Sequence, residues 1–356
     1  MERTLRLLQE ITEAAGLPGH EHEVREVIKK YLPPKVEVTA DRLGSLVVKK
    51  QGTADRPKVM LAGHMDEIGF LVTHVTKQGF AKFQTLGGWW EQVMLAQRVL
   101  ILTPKGRVPG VIGSKPPHEL EEEERKKVVS KKDMYIDFGA SSREKAEEMG
   151  VRPGCFVVPD SPFTRMADPD YLMAKAWDDR VGCAMFVDIL HELSQVDHPN
   201  SVYGVGTVQE EVGLRGATTS ARLVDPDVAF ALEVAISGDT PGFKEDQGHP
   251  KLGHGPAVCL YDSSMVPNTR LVELVVDTAK ECDIPIQFEV LSRGGTDAGR
   301  IHIHGQGVPS LVVGVPTRYI HSHAGILHLQ DYLNAVKLMV AVIRKLDAET
   351  VEGLVR

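Results

Sequence analysis

Cysteine is scarce in this chain. Four residues among 356, Cys155, Cys183, Cys259 and Cys282, are scattered without a Cys-x-x-Cys pair. That spacing argues against a disulfide framework or a cysteine-built zinc site and for four reduced thiols. Positive charge is also in deficit: 41 basic side chains face 49 acidic ones, a net charge of −8. A general nucleic-acid binder would carry the opposite balance. No apolar run is long enough to span a bilayer. Met1-Glu2-Arg3-Thr4 leads into an amphipathic pattern rather than an apolar signal core, so a cytoplasmic location is expected. Internal repeats and low-complexity stretches are missing too. With 42% hydrophobic and 25% charged residues, disorder and collagen-like repetition are excluded.

What is present reads as an α/β protein. Leu5, Leu8 and Ile11 recur at helical spacing, and Val24, Ile28 and Leu32 continue a second helix after Leu17-Pro18-Gly19. Residues 36–50 form a strand pair turning near Leu43-Gly44, and Val59-Met60-Leu61-Ala62 is a buried strand. From 68 to 165 the texture changes to short β-like runs separated by Gly and Pro, with helical pieces only at 130–134 and 142–149. The acid-rich stretch from Glu119 to Lys132 reads as a solvated loop. After Trp177 helices and strands alternate to the end: helices near 179–194, 216–223, 269–282 and 329–346, strands near 202–209, 227–233, 286–290 and 310–315. That alternation predicts a mostly parallel sheet with helices on both faces. The expected organisation is a first part of an α/β domain at 1–67, an inserted β-rich domain at 68–165 and a second part of the α/β domain at 166–356.

The polar residues of interest share one placement. His64 and Asp66 follow the strand at 59–62, Glu210 and Glu211 follow 202–209, Glu233 closes 228–232, and His321 comes shortly after 311–315. All sit at the carboxyl ends of predicted strands, the edge where open α/β sheets bind ligands. Asp178 and Asp179 precede a helix that can join the same edge. Two imidazoles and three carboxylates can hold a pair of divalent ions with one carboxylate shared. The adjacent Glu210-Glu211 pair offers one ligand and one base. Asp66 is close enough in sequence to orient the His64 ring. Alternatives stay open among neighbours: His323 competes with His321, Asp179 with Asp178, and Glu210-Glu211 also suit a solvated helix start. His302 and His304 alternate as on a strand, Trp89-Trp90 reads as packing or an interface anchor, and Asp297 in the Gly-rich turn 294–299 is a candidate substrate contact.

The stretches Ala62-Gly63-His64-Met65-Asp66-Glu67-Ile68-Gly69, Trp177-Asp178-Asp179-Arg180-Val181-Gly182 and Gln209-Glu210-Glu211-Val212-Gly213-Leu214-Arg215-Gly216-Ala217 carry a resemblance. So do Gly294 to Gly299, Thr317 to Ser322 and the opening Ala15-Gly16-Leu17-Pro18-Gly19-His20-Glu21. In their order and over nearly the whole chain, these segments resemble the tetrahedral, dodecameric metallo-aminopeptidases. That family includes glutamyl and leucyl aminopeptidases and proteins labelled endoglucanase or cellulase M. The resemblance implies a zinc-exopeptidase-like mixed sheet flanked by helices, with an inserted β-rich dimerisation domain and dimers assembling into a hollow homododecamer. It implies His64 and Glu233 on one metal ion, Glu211 and His321 on the other, and Asp178 bridging both. Glu210 would be the general base and Asp66 would steady His64. Many relatives carry Asp where this chain has Glu233. The implied cofactors are two divalent ions per subunit, zinc or cobalt, and the implied substrates are short peptides.

Other functions fit parts of this pattern. A metal-dependent deacylase or carboxypeptidase would use a similar dinuclear site. A glycosidase would use two carboxylates but leaves His64, His321 and Asp178 unexplained. A catalytically silent, self-assembling peptide binder would need a lost ligand, and every expected position is filled.

Overall fold

The computed structural model describes residues 1–244 and 248–355. Helices α1 (Glu2–Glu13) and α2 (His22–Lys30) lead into strands β1 (Glu37–Ala40), β2 (Leu46–Gln51) and β3 (Lys58–His64). Next come β4 (Gly69–Val75), β5 (Ala81–Leu86), β6 (Arg98–Thr103), β7 (Gly106–Gly113), α3 (Glu122–Arg125), β8 (Tyr135–Asp137), α4 (Arg143–Glu148) and β9 (Phe156–Pro159). The chain then runs through β10 (Thr164–Arg165), β11 (Tyr171–Ala174), α5 (Trp177–Leu193), β12 (Ser201–Thr207), α6 (Arg215–Val224) and β13 (Val228–Ile236). It closes with β14 (Ala257–Asp262), α7 (Thr269–Glu281), β15 (Gln287–Leu291), α8 (Ala298–Ile301), β16 (Ser310–Arg318), β17 (Gly325–His328), α9 (Leu329–Lys345) and α10 (Ala348–Gly353).

Eleven strands form one sheet in the order β1-β2-β12-β3-β13-β16-β17-β11-β10, with β14 beside β16 and β15 beside β14. Its centre is parallel: β12 with β3, β3 with β13, and β13 with β16. These strands are nearly continuous apolar runs because helices cover both faces. Pairings toward both ends of this path are antiparallel, as is β14 with β16, while β14 and β15 are parallel, so the sheet is mixed rather than mostly parallel. The short flanking strands β10, β11 and β17 give too few residues for an alternating pattern, and sequence reading missed them.

α5 lies against the sheet centre and is buried along nearly its whole length. It approaches closely because two glycines face each other. A Cβ on Gly63 would sit 2.6 Å from the carbonyl carbon of Gly182. α1 is amphipathic and buries Leu7, Leu8 and Ile11 in the same core.

Where the sequence predicted a β-rich segment, β4, β5, β8, β7, β6 and β9 close into an antiparallel barrel. Phe70, Val99, Ile101, Ile112, Ile136 and Val157 fill a core of its own. A small cluster of Ala15, Leu17 and Val158 joins the N-terminal loop to the barrel wall.

Two local expectations are corrected. The stretch 119–132 is not all loop. α3 forms one exposed turn there because Glu121 and Glu124 make a reciprocal capping box. His302 and His304 are not on a strand: α8 ends just before them, and the His302 ring meets the Ala298 carbonyl one turn back. Among the described residues no helix is long and apolar enough to cross a membrane.

Candidate metal centre

The parallel strands end together, and their register sets the site. His64 at the end of β3 lies opposite Thr207 at the end of β12, and Met65 N–H donates to the Thr207 carbonyl at 2.8 Å. Glu233 lies on β13, opposite Gly314 of β16. Glu233 does not close its strand as the sequence suggested, because β13 runs on to Ile236 in register with β16, yet it faces the same edge as the end of β3.

Asp178 is the centre of the cluster. Its Oδ1 lies 3.0 Å from Nε2 of His64, and its Oδ2 lies 3.2 Å from Nε2 of His321. Each ring is oriented by a backbone carbonyl on its other nitrogen. His64 Nδ1 meets the Asp66 carbonyl at 2.9 Å, and His321 Nδ1 meets the Gly88 carbonyl at 2.8 Å. A carbonyl only accepts, so Nδ1 carries the proton in both rings and a neutral ring presents its Nε2 lone pair to the cluster. Gly88 belongs to the loop after β5, so the barrel supplies the support for His321.

Asp179 points elsewhere. Its Oδ2 accepts from the His64 backbone N–H at 3.0 Å and its Oδ1 from Gly182 N–H at 2.9 Å. Both oxygens are committed to backbone N–H groups, while those of the neighbouring Asp178 face only the two imidazoles. The peptide between these two residues is cis.

Glu210 and Glu211 sit on a turn held by carboxylates. Asp66 Oδ1 and Oδ2 accept from the backbone N–H groups of Glu210 and Glu211, each at 3.0 Å. Glu21 Oε1 accepts from Gln209 N–H at 3.2 Å and from Gly19 N–H at 2.7 Å. Gln209 itself has a left-handed backbone, φ +58°. Asp66 thus steadies His64 through its carbonyl, while its carboxylate grips the Glu210-Glu211 backbone. The pair is not a solvated helix start: Glu210 Oε2 reaches to 3.9 Å from His64 Nε2, and Glu211 Oε1 to 3.5 Å from His321 Nε2.

The electrostatics suit a cation. Burial pushes the carboxyls of Glu210 and Glu233 far up, and burial with the Asp178 charge lifts Glu211 to about 8. Burial also works against the Asp178 charge, but hydrogen bonds from His321 and His64 hold its carboxyl below the usual range. His321 is raised to about 10 despite burial, because Asp178 and Glu211 favour its protonated form. The donor set fits divalent ions on two further counts. Glu211 Oε1 is buried without any hydrogen-bond partner. Single ligand atoms of His64, Glu210 and Glu233, and of His64, Asp178 and Glu211, all come within 4.8 Å of one another. Imidazole nitrogen and carboxylate oxygen are the ligands zinc and its first-row neighbours accept.

Other sequence candidates fall outside the cluster. His323 is buried edge-on to Trp89, ring centroids 5.2 Å apart, and neither of its nitrogens has a partner. Trp89 stacks on Phe70 and donates to the Gly69 carbonyl, whereas Trp90 is 59% exposed. Asp297 is buried and accepts from the Thr207 hydroxyl behind the site. The adjoining cavity of about 500 Å³ is lined by Gly294, Gly295 and Thr296, not by Asp297.

Sequence reasoning missed the supports. Glu67 takes Lys175 at 2.6 Å and Arg180 at 3.1 Å, and Arg180 also donates to the carbonyls of Ile11, Ala14 and Gly16. This buried network clamps the N-terminal loop beneath Asp66. Glu21, Glu67 and Arg180 carried an advance signal only as members of the quoted stretches, and Lys175 carried none.

Comparison with known proteins places these features in company. Residues 44–338 match the M42 glutamyl aminopeptidase family. FrvX of Escherichia coli (strain K12) is 43% identical over 352 residues, 98% of this chain and 97% of that one. The TET aminopeptidase of the marine sediment archaeon Thaumarchaeota archaeon SCGC AB-539-E09 superposes with a TM-score of 0.97 at 49% identity, covering 99% of both chains. The Pyrococcus horikoshii TET1 peptidase, described as assembling into a tetrahedron or a large octahedral shell, gives a TM-score of 0.85 at 32% identity over 96% of this chain and 100% of that one.

Proposed function

Because the chain belongs to the M42 glutamyl aminopeptidase family, and is therefore an aminopeptidase, we propose that it removes N-terminal residues from short peptides with Glu210 as general base. The observation that carries this reading is Asp178, whose two oxygens face two imidazoles that both have their Nε2 turned inward.

His64, Glu233 and Asp178 would hold one divalent ion, and Asp178, Glu211 and His321 a second, with zinc or cobalt suited to these ligands. Bound there, such ions supply polarisation of the scissile carbonyl and a water acidic enough to ionise near neutral pH. The chain's own residues do the rest. Glu210 takes the proton of the attacking water and delivers it to the departing amine. Its backbone is fixed by Asp66, so the carboxylate is placed before substrate arrives. The cavity of about 500 Å³ beside the cluster receives the N-terminal side chain.

At the level of the assembly, the closed barrel would mediate a dimer, and six such dimers would enclose a chamber that admits short or unfolded peptides. The shells described for the Pyrococcus horikoshii relative support this reading.

Hydrolysis of Leu-p-nitroanilide with added Zn²⁺ or Co²⁺, before and after chelation, tests the mechanism. Activity should vanish on chelation and return with metal, and N-acetylated Leu-p-nitroanilide should not be cleaved. Glu210→Gln should lower turnover by roughly a hundredfold or more while metal content stays near that of the parent. Turnover indifferent to chelation, or unaffected in Glu210→Gln, refutes it.

A further inference from the structure

The wall of the cavity contains a buried carboxyl that meets no cation among the described residues. Glu289 of β15 is 6% exposed, and its Oε1 accepts a single hydrogen bond, from Ile236 N–H at 2.8 Å. Among the described residues it makes no ion pair. Burial pushes its carboxyl up to about 7, opposed only by that one N–H. Ile236 and Cys259, the strand partner of Glu289, lie beside it, and Val234, Leu291 and Val312 line the same cavity; all are apolar or weakly polar.

A carboxylate in such a place is costly unless a cation meets it. Backbone capping does not explain it, because a glutamine would satisfy Ile236 N–H without any charge. The cavity links Glu289 directly to His64, Asp178, Glu210, Glu211 and Glu233. The separation is legible along β13. Glu289 grips Ile236, three positions beyond Glu233, and a strand advances about 3.3 Å per residue, so the carboxylate stands roughly 10 Å from the Glu233 position. A residue whose amine and carbonyl lie at the metal centre spans that gap only with a long stem that ends in a cation. Lysine and arginine have such stems. Arg293 lines the same cavity but is exposed, and no salt bridge ties it to Glu289.

We propose that Glu289 is a specificity-determining residue that selects peptides with an N-terminal lysine or arginine, by pairing with the substrate's side-chain cation at the far wall of the cavity. This rests on the aminopeptidase reading and adds the substrate class to it. The carboxyl, whose ionisation burial opposes in the free protein, is ionised and paired in the complex, so the preference arises from a desolvated, hydrogen-bonded ion pair.

The test compares kcat/KM for Lys-, Leu- and Glu-p-nitroanilide on metal-loaded protein. The parent should favour Lys over Glu. Glu289→Gln, which keeps the acceptor for Ile236 N–H, should lower the Lys-to-Leu ratio about tenfold or more. A second measurement needs no variant: lysinamide should inhibit Leu-p-nitroanilide hydrolysis by the parent more strongly than norleucinamide, a stem of similar length without the charge. An unchanged Lys-to-Leu ratio in Glu289→Gln, equal inhibition by the two amides, or a parent that favours Glu overturns the proposal. A parent that cleaves none of the three anilides overturns the aminopeptidase function itself, and is distinguishable from one that cleaves Leu but disregards lysine.

Discussion

Two carboxylates share the work of holding the turn that carries Glu210. Asp66 takes the N–H groups of Glu210 and Glu211, and Glu21 takes that of Gln209, whose left-handed backbone is uncommon for a residue with a side chain. Without Glu21 the N–H groups of Gly19 and Gln209 lose their acceptor, and the turn is free to relax. Glu21→Ala should therefore lower kcat about tenfold with KM little changed, whereas Glu21→Gln, which keeps an oxygen for both donors, should restore most of it. Equal loss in both variants would show that the charge, not the acceptor, matters. The same pair has a pH signature. Burial lifts the Glu21 carboxyl from 4.5 to about 7. Between those values the folded chain holds a proton that the unfolded chain releases, so this group's contribution to stability falls as pH rises through that window. Glu21→Gln does not titrate, so its melting temperature relative to the parent should rise from pH 5 to pH 8. A constant difference would contradict the burial argument. Of these residues, the chemistry-bearing ones were legible in the sequence because His, Asp and Glu at strand ends stand out. Glu21 was legible only as part of a motif, since one glutamate in a loop has no periodicity.

The parallel strands and α5 hold the cluster in register. Leu61, Ala62 and Gly63 on β3 are fully apolar or bare, and the bare position meets α5 where Gly182 leaves room. The central strands were readable as buried apolar runs, and α5 as a long helix after Trp177. The close approach between them was not, because it depends on which glycine faces which. A methyl group on Gly63 would stand 2.6 Å and 2.7 Å from backbone atoms of Gly182 and Cys183, neither of which can swing aside. Gly63→Ala should cost about 1–3 kcal/mol of stability by overpacking, seen as a lowered denaturation midpoint. It should also displace Asp179 and with it the His64 backbone. A midpoint equal to the parent's would mean that α5 is free to shift without penalty.

At the scale of the molecule the barrel supports the candidate metal centre as well as being an appendage of the sheet. Its loop after β5 supplies the Gly88 carbonyl that orients His321, and its β9 residues pack on the N-terminal loop through His20 and Phe156. Assembly through the barrel would therefore act on a face linked to His321. Light scattering on the metal-loaded protein should report a particle of twelve 39.1-kDa chains. Trp90→Glu, at an exposed side chain on the loop after β5, should shift the scattering toward smaller particles if that loop joins the contact and leave it unchanged if it does not. A monodisperse monomer with full activity would remove the chamber from the mechanism.

The sequence alone determined the class of fold and the chemical inventory, because apolar periodicity and residue type are local properties. Runs such as Val59 to Ala62 read as buried strands, and His64, Asp178, Glu210, Glu211, Glu233 and His321 read as donors. Only the tertiary structure decided how those donors are used. It turned the Asp179 oxygens onto backbone N–H groups and left those of Asp178 facing two rings. It set His323 against Trp89 with neither nitrogen bonded, and it buried Glu289 on the wall of a cavity that Glu233 also lines. These outcomes depend on contacts between segments far apart in the chain, and hydrogen bonds saturate. Which of two neighbouring carboxylates remains free is fixed by what the rest of the fold has already engaged.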